Sequence, residues 1–331
     1  MMVFNGLVPK RQIGDVSYWS RVVPGDTSKT LWTEYHSFDD LPKSIDPASG
    51  YNQNANEPPW FMTSPLLEPS KYPAYMAPPN MGATLFRTKR SLRMLAETPK
   101  MSYEQLIANK LSTRMEVADA VLPDLLKAAE GSPVPVVKEA AAILAKWDRL
   151  TETDSRGAVL FKMFTDEYFG VTDNIEPRLR VKFDPAHPTD SAYGLADTAR
   201  ALQALSSAAQ ECRKTYGALD VPWGEVHRYA SGRADLPGDG GPGRLGVFRT
   251  INFTRKVGNR YYAANGETFV CAVEFARKQQ AQCALSYGNA SQPGSVHLED
   301  QLPLMVQKKL HPVWRSRMEI ESNLEKREAF K

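Results

Sequence analysis

The sequence predicts an α+β fold in which sheet-forming segments flank a large helical block. Three observations carry this. Residues 1–60 hold short apolar pieces separated by Pro, Gly and Asn. Residues 85–220 carry Ala, Val and Leu at helical spacing. After Gly232 the alternating pattern of strands returns. Strands and helices are segregated rather than alternating, so a βαβ repeat is not indicated. The chain has 331 residues, 42% of them hydrophobic, enough for one large core or two ordinary ones.

In order, Tyr18-Trp19, Val22-Val23 and Leu31-Trp32 read as short strands, with a turn at Pro24-Gly25-Asp26. Trp19, Trp32 and Tyr35 are expected in the core. Residues 61–82 form a proline-rich ordered loop anchored by Phe61, Tyr72, Tyr75 and Met76. Helices are predicted over Arg87 to Glu97, from a Ser102 cap onward, and over Ala118 to Ala129. Further helices are predicted over Val136 to Trp147, Gly157 to Phe169 and Ala192 to Tyr216.

Strands follow at Leu245–Phe253, Tyr261-Tyr262, Thr268–Phe275 and Ala281–Ser286, with a hairpin turn at Asn265-Gly266. The tail after Pro312 reads as a polar amphipathic helix. This gives four regions: 1–84, strands and loops; 85–225, the helical insertion; 226–299, returning strands; 300–331, the tail.

Composition narrows the function. Lys and Arg number 41 against 38 Asp and Glu, a net charge of +3, with no basic block of the kind that binds nucleic acid. No apolar run reaches membrane-spanning length. The start, Met1 to Phe4 followed by Pro9, Lys10 and Arg11, is not a signal peptide, so this chain by itself reads as cytoplasmic. Cys212, Cys271 and Cys283 are odd in number and lack motif spacing, which argues against a disulfide framework; Cys271 is expected in the core. No zinc spacing occurs. The glycine-rich stretch 236–243 lacks the spacing of a nucleotide loop. Asp148, Asp154 and Arg156 read as a polar network at a helix junction. No metal or cofactor is expected.

One stretch carries chemistry. Asn54-Ala55-Asn56-Glu57-Pro58-Pro59-Trp60 sets two short amides at i and i+2 before a stiff proline pair. A neutral Asn can donate N–H to an oxygen that turns negative in a transition state, as acyl transfer at an amide requires. A turn whose amides cap their own backbone is the plainer alternative.

The longer pattern Ser49-Gly50-Tyr51-Asn52-Gln53-Asn54-Ala55-Asn56-Glu57-Pro58-Pro59-Trp60 resembles the oxyanion loop of the penicillin acylase family. These are N-terminal-nucleophile amidohydrolases that include acylhomoserine lactone and aculeacin-type acylases. Val23-Pro24-Gly25-Asp26-Thr27 agrees, as do Trp147-Asp148 with Thr153 to Gly157, Leu285 to Ser295 with Asp300-Gln301, and Pro312 to Arg315.

The resemblance implies part of a four-layer αββα Ntn-hydrolase sandwich with antiparallel sheets. It implies Asn56 as the side-chain donor of the oxyanion hole, Asn54 as support for the loop, and Arg87 as a residue that orients the site. Family members begin their catalytic chain with Ser, Cys or Thr, whereas this chain begins Met1-Met2. It therefore resembles the C-terminal part of the catalytic chain, and its expected partner is a missing N-terminal acylase segment or subunit. Internal substitutes are not credible. Ser132 and Ser295 follow glycines but lack the start-of-strand setting, and Ser17, Asp15 and His36 form a triad only on paper.

The expected function is hydrolysis of the carbon–nitrogen bond of linear amides. The implied substrates are small N-acyl amides such as N-acylated β-lactams, homoserine lactones or lipopeptides. These place the family in antibiotic chemistry and quorum quenching, and the fragment is expected to be inactive alone. A non-catalytic remnant or binding protein is the alternative. Full-length relatives are periplasmic or secreted.

Overall fold

The computed structural model describes residues 1–3, 6–76, 85–232 and 234–329. The end of the expected proline-rich loop, 77–82, lies outside them. Ten helices in the described residues are Val16–Trp19 (α1), Leu85–Glu97 (α2), Tyr103–Lys110 (α3), Glu116–Glu130 (α4), Pro135–Lys146 (α5), Ala158–Phe169 (α6), Thr198–Tyr216 (α7), Trp223–Val226 (α8), Leu302–Val306 (α9) and Arg317–Ser322 (α10). The strands are Met2–Val3 (β1), Lys43–Ser44 (β2), Leu179–Val181 (β3), Tyr193–Leu195 (β4), His227–Ser231 (β5), Ala234–Pro237 (β6), Ile251–Val257 (β7), Arg260–Gly266 (β8), Phe269–Glu274 (β9), Gln280–Leu285 (β10) and His311–Pro312 (β11).

The helical block forms as its spacing demands. Ser102 caps α3 with a reciprocal Ser102–Gln105 capping box, and Pro135 opens α5 at its first position. α4 buries Val117, Val121, Leu122 and Leu125. α6 buries Leu160, Phe161 and Phe164 against α7, which contributes Ala201, Ala204, Leu205, Ala208 and Cys212. One buried cluster runs from Trp60 to Val247 through these helices. The last long helix begins at Thr198, not Ala192. Tyr193–Leu195 instead pairs with Leu179–Val181, and Asp197 caps the Arg200 amide.

The sheets are open. β6, β5, β8 and β7 lie side by side, with β5 and β8 parallel and the other pairs antiparallel. Within the otherwise antiparallel pairing expected of this fold class, β5–β8 is one parallel pair. The hairpin between β7 and β8 turns at Gly258, whose φ of 58° favours glycine, and Asn259. Asn265-Gly266, the expected turn, ends β8 instead, because the next strand, β9, joins a different sheet of order β11-β10-β9. The strand expected from Leu245 starts at Ile251, since Gly243–Leu245 is a 3₁₀ turn.

Two further expectations fail near the ends. Residues 1–60 hold little sheet: Tyr18-Trp19 falls in α1, capped by Asp15, and Leu31-Trp32 follows a 3₁₀ turn. Trp32 (60% exposed) and Tyr35 (40%) are not core residues; the Arg11 guanidinium lies over the faces of Trp19 and Trp32. The tail is not one amphipathic helix. His311–Pro312 pairs with β10, and α10 has only six residues, none of them buried.

β9 alternates as predicted, but its phase sends Val270 and Ala272 inward and leaves Phe269, Val273 and Phe275 exposed. Cys271 is on the outer face, not in the core. The β9–β10 register sets it opposite Cys283, and the two form a disulfide.

Candidate active site

The loop 53–61 is held by its own polar groups around a buried carboxylate. Glu57 is 6% exposed. Its Oε1 accepts from Gln53 Nε2 at 2.6 Å and its Oε2 from the Ala55 amide at 2.5 Å. Gln53 Nε2 also reaches the Phe61 carbonyl at 2.6 Å. Burial holds the Glu57 carboxyl above its ordinary range, against the pull of hydrogen bonds from Ala55, Gln53 and Thr88. Pro58 leads into the 3₁₀ turn Pro59–Phe61, whose three side chains are buried.

Within that frame Asn54 Oδ1 accepts from the Asn56 amide at 2.8 Å, and Asn54 Nδ2 donates to the Glu57 carbonyl at 3.1 Å. Asn54 thus closes the turn from both sides. Asn56 sits at the apex with φ of 73°. Asn tolerates this left-handed region better than most residues.

Arg87 comes from the first turn of α2, which Leu85 and Phe86 anchor in the core. Its Nη2 donates to Asn56 Oδ1 at 3.1 Å. The neighbouring Thr88 bonds Glu57, a second tie between helix and loop. Burial lowers the pKa of the guanidinium while the Glu57 charge opposes that shift. Gly243 lets Arg87 pass: a Cβ there would lie 2.9 Å from Arg87 Cδ and Nε.

Arg87 also lines a cleft of about 390 Å³ whose walls include Lys162, Asp173, His227, Arg244, Asn252 and Phe253. All three residues singled out in the sequence, Asn54, Asn56 and Arg87, are therefore in one constellation. Sequence reasoning missed Glu57, Gly243 and His227. Glu57 between Asn56 and Pro58, four residues after Gln53, was the available signal for a buried acceptor.

Other candidates are apart. Ser17 Oγ bonds Asp15 while His36 Nε2 pairs with the Tyr75 hydroxyl at 2.7 Å, so no triad forms. Ser132 and Ser295 act as local caps, bonding the Val134 and His297 amides. The expected Asp148–Asp154–Arg156 network does not assemble: Asp148 bonds Leu150 and Ser155, whereas Arg156 pairs with Asp220. Among the described residues no group of three or more His, Cys, Asp or Glu could hold a metal, and no helix is long and apolar enough to cross a membrane.

Comparison with known proteins gives the same direction. The chain is 28% identical over 271 residues to acyl-homoserine lactone acylase PvdQ of Pseudomonas savastanoi pv. phaseolicola, covering 76% of this chain and 33% of that protein. It is 26% identical over 205 residues to aculeacin-A acylase of Actinoplanes utahensis, covering 59% and 25%. The chain thus spans a third or less of the length of these curated relatives. In three dimensions it is similar to a thermostable penicillin G acylase from Alcaligenes faecalis. The TM-score is 0.57 at 18% identity, covering 99% of this chain and 65% of that one, a likeness of fold. The penicillin amidase family model matches residues 1–322, and the chain belongs to that family.

Proposed function

We propose that this chain is the oxyanion-side portion of an amidohydrolase that cleaves the carbon–nitrogen bond of small linear N-acyl amides. The observation that carries the reading is the Arg87–Asn56 hydrogen bond. A guanidinium can only donate, so it fixes Oδ1 toward itself and turns Nδ2 away as a donor. No bond from Nδ2 occurs among the described residues. An amide held this way is oriented before an oxyanion forms, which is what electrostatic stabilisation of acyl transfer needs.

The nucleophile in this reading belongs to a separate acylase segment. Its hydroxyl or thiol attacks the amide carbonyl, its own α-amine takes the proton, and that proton leaves with the departing amine. Water then releases the acid. In a relative such as PvdQ the matched region is 33% of the protein, which leaves room in that relative for a nucleophile-bearing segment outside the match. The Cys271–Cys283 disulfide supports a periplasmic or secreted location, because such bonds persist in oxidising compartments.

The test is to assay N-phenylacetyl amides and acylhomoserine lactones with the chain alone and with a nucleophile-bearing acylase segment joined or co-expressed. Turnover is expected only in the combined protein. Turnover by the 331-residue chain alone refutes the divided site. A folded combined protein, correctly processed yet inactive on every amide, favours a non-catalytic binding protein.

A further inference from the structure

The glycine-rich stretch after β6 is fastened to the core by buried charges that the oxyanion chemistry does not use. Asp239 and Arg249 are each 1% exposed, and Asp239 Oδ2 lies 3.0 Å from Arg249 Nη1. The buried Tyr229 hydroxyl, from β5, reaches the Asp239 carbonyl at 2.7 Å and Oδ1 at 3.0 Å. Arg249 Nη2 donates to the Met305 carbonyl of α9 at 2.7 Å, and the Arg249 amide donates to the Ser112 carbonyl at 2.9 Å. The other charged groups that act on the pair are themselves matched, Lys308 with Glu152 and Glu267 with Lys110.

Two backbone bonds continue the join. The Gly241 amide donates to the Arg249 carbonyl at 3.2 Å, and the Ile251 amide to the Gly241 carbonyl at 3.0 Å. Both sides of the join then become walls of the cleft beside Arg87: Pro242 and Gly243 from the loop, Thr250 and Asn252 from the other side. Gly243 is the residue whose missing Cβ makes room for Arg87, so a small shift of the loop there pushes into the Arg87 side chain. Taking two charges out of water costs free energy that apolar groups of the same volume avoid. A buried pair therefore adds little stability, but it holds one arrangement with a directional contact.

We infer that Asp239 and Arg249 are positioning residues for Arg87. Their ion pair fixes the 238–243 loop against the segment entering β7, and the loop, through Gly243, fixes the guanidinium on Asn56. Neither residue is among those lining the cleft, so the pair acts only through what it holds. This rests on the acylase reading for its place in the reaction and adds to that site a control point remote from the reacting atoms.

The test replaces both charges by apolar residues, Asp239→Leu with Arg249→Met, in the 331-residue chain carrying isotope-labelled asparagine. The Asn56 side-chain amide resonance, identified by its loss in Asn56→Gly, reports the contact with Arg87. The urea midpoint of the double variant should stay near the parent's, while the Asn56 resonance should move to its position in Arg87→Ala. Tyr229→Phe keeps the ring and removes only the hydroxyl that holds Asp239. It should move the resonance the same way, and it carries the test if the double variant does not fold. A folded variant with the parent's Asn56 resonance overturns the inference. So does failure of both variants to fold, which would make the network purely structural. A resonance that Arg87→Ala itself leaves in place refutes the contact, and the inference with it. In the combined acylase the double variant should lower kcat roughly tenfold with KM little changed. In an Arg87→Ala background it should lower kcat no further; losses that add in that cycle also overturn the inference. The resonance reads no turnover, so it tests the clamp whether or not the combined protein is active. An unmoved resonance beside an active parent acylase keeps the acylase reading and refutes the clamp.

Discussion

Arg87 Nη2 and Asn56 Oδ1 meet at 3.1 Å across 31 residues of sequence. Their contact decides which end of the Asn56 amide faces outward. In the combined enzyme Asn56→Gly should fold normally, since glycine accepts the φ of 73° at this position. Its kcat should fall by about 10²–10³-fold, the usual loss for one oxyanion donor. Asn56→Asp keeps the shape and contact with Arg87 but removes the donor, and should fall as far. Single-turnover hydrolysis on processed protein is the measurement; wild-type rates in both variants would remove Asn56 from the chemistry.

Asn54 acts on the loop rather than on the substrate. Asn54→Ala loses the bonds to the Asn56 amide and the Glu57 carbonyl and should destabilise the fold by about 1–3 kcal/mol. Its kcat should stay within a few-fold of the parent. Urea unfolding and single-turnover rates together separate the two effects. An inactive but fully stable Asn54→Ala, beside an active Asn56→Gly, would mean the two amides have exchanged roles.

Gly243→Ala tests Arg87 without touching it. The new Cβ would stand 2.9 Å from Arg87 Cδ and Nε. The long side chain can move aside, so the melting temperature should change little. Activity should drop roughly tenfold as the guanidinium leaves Asn56. In an Arg87→Ala background the same substitution should have almost no further effect. Additive losses in that double-mutant cycle would show that Gly243 acts by another route.

The sequence made local features legible and long-range ones not. Ser102, Pro135 and the α4 and α6 periodicities announce helices because caps and 3.6-residue spacing are local. The paired amides of 54–56 were visible for the same reason. Arg87 was placed from the family pattern, since its meeting with Asn56 depends on how α2 docks. Cys271 and Cys283 looked unrelated until the β9–β10 register set them opposite each other. Lys162–Asp166 is an i, i+4 pair readable from sequence, but Arg244 joins it from 78 residues away. Asp197, which starts α7 six residues later than expected, is a local cap that the reading overlooked.

The helix that carries Arg87 is latched to the core by buried charges, and these predict a pH signature. Arg93 Nη1 lies 2.7 Å from Glu116 Oε1, and Lys89 Nζ donates to the Ser191 and Ala192 carbonyls at 2.6 and 3.3 Å. Burial pushes Glu116 up to about 7 and Lys89 down to about 8. For Glu116 the folded state holds a proton that the unfolded chain releases near its ordinary 4.5. Its contribution is therefore complete below about 4.5 and is lost as pH rises to about 7. For Lys89 the unfolded chain keeps a proton that the folded state gives up, so its contribution recovers between about 8 and its ordinary 10.5. Melting temperatures of the parent minus those of Glu116→Gln should fall from pH 5 to 7. The difference against Lys89→Met should rise from pH 8 to 10. Flat differences across both windows would mean that these groups titrate normally and that α2 is held by its apolar face alone.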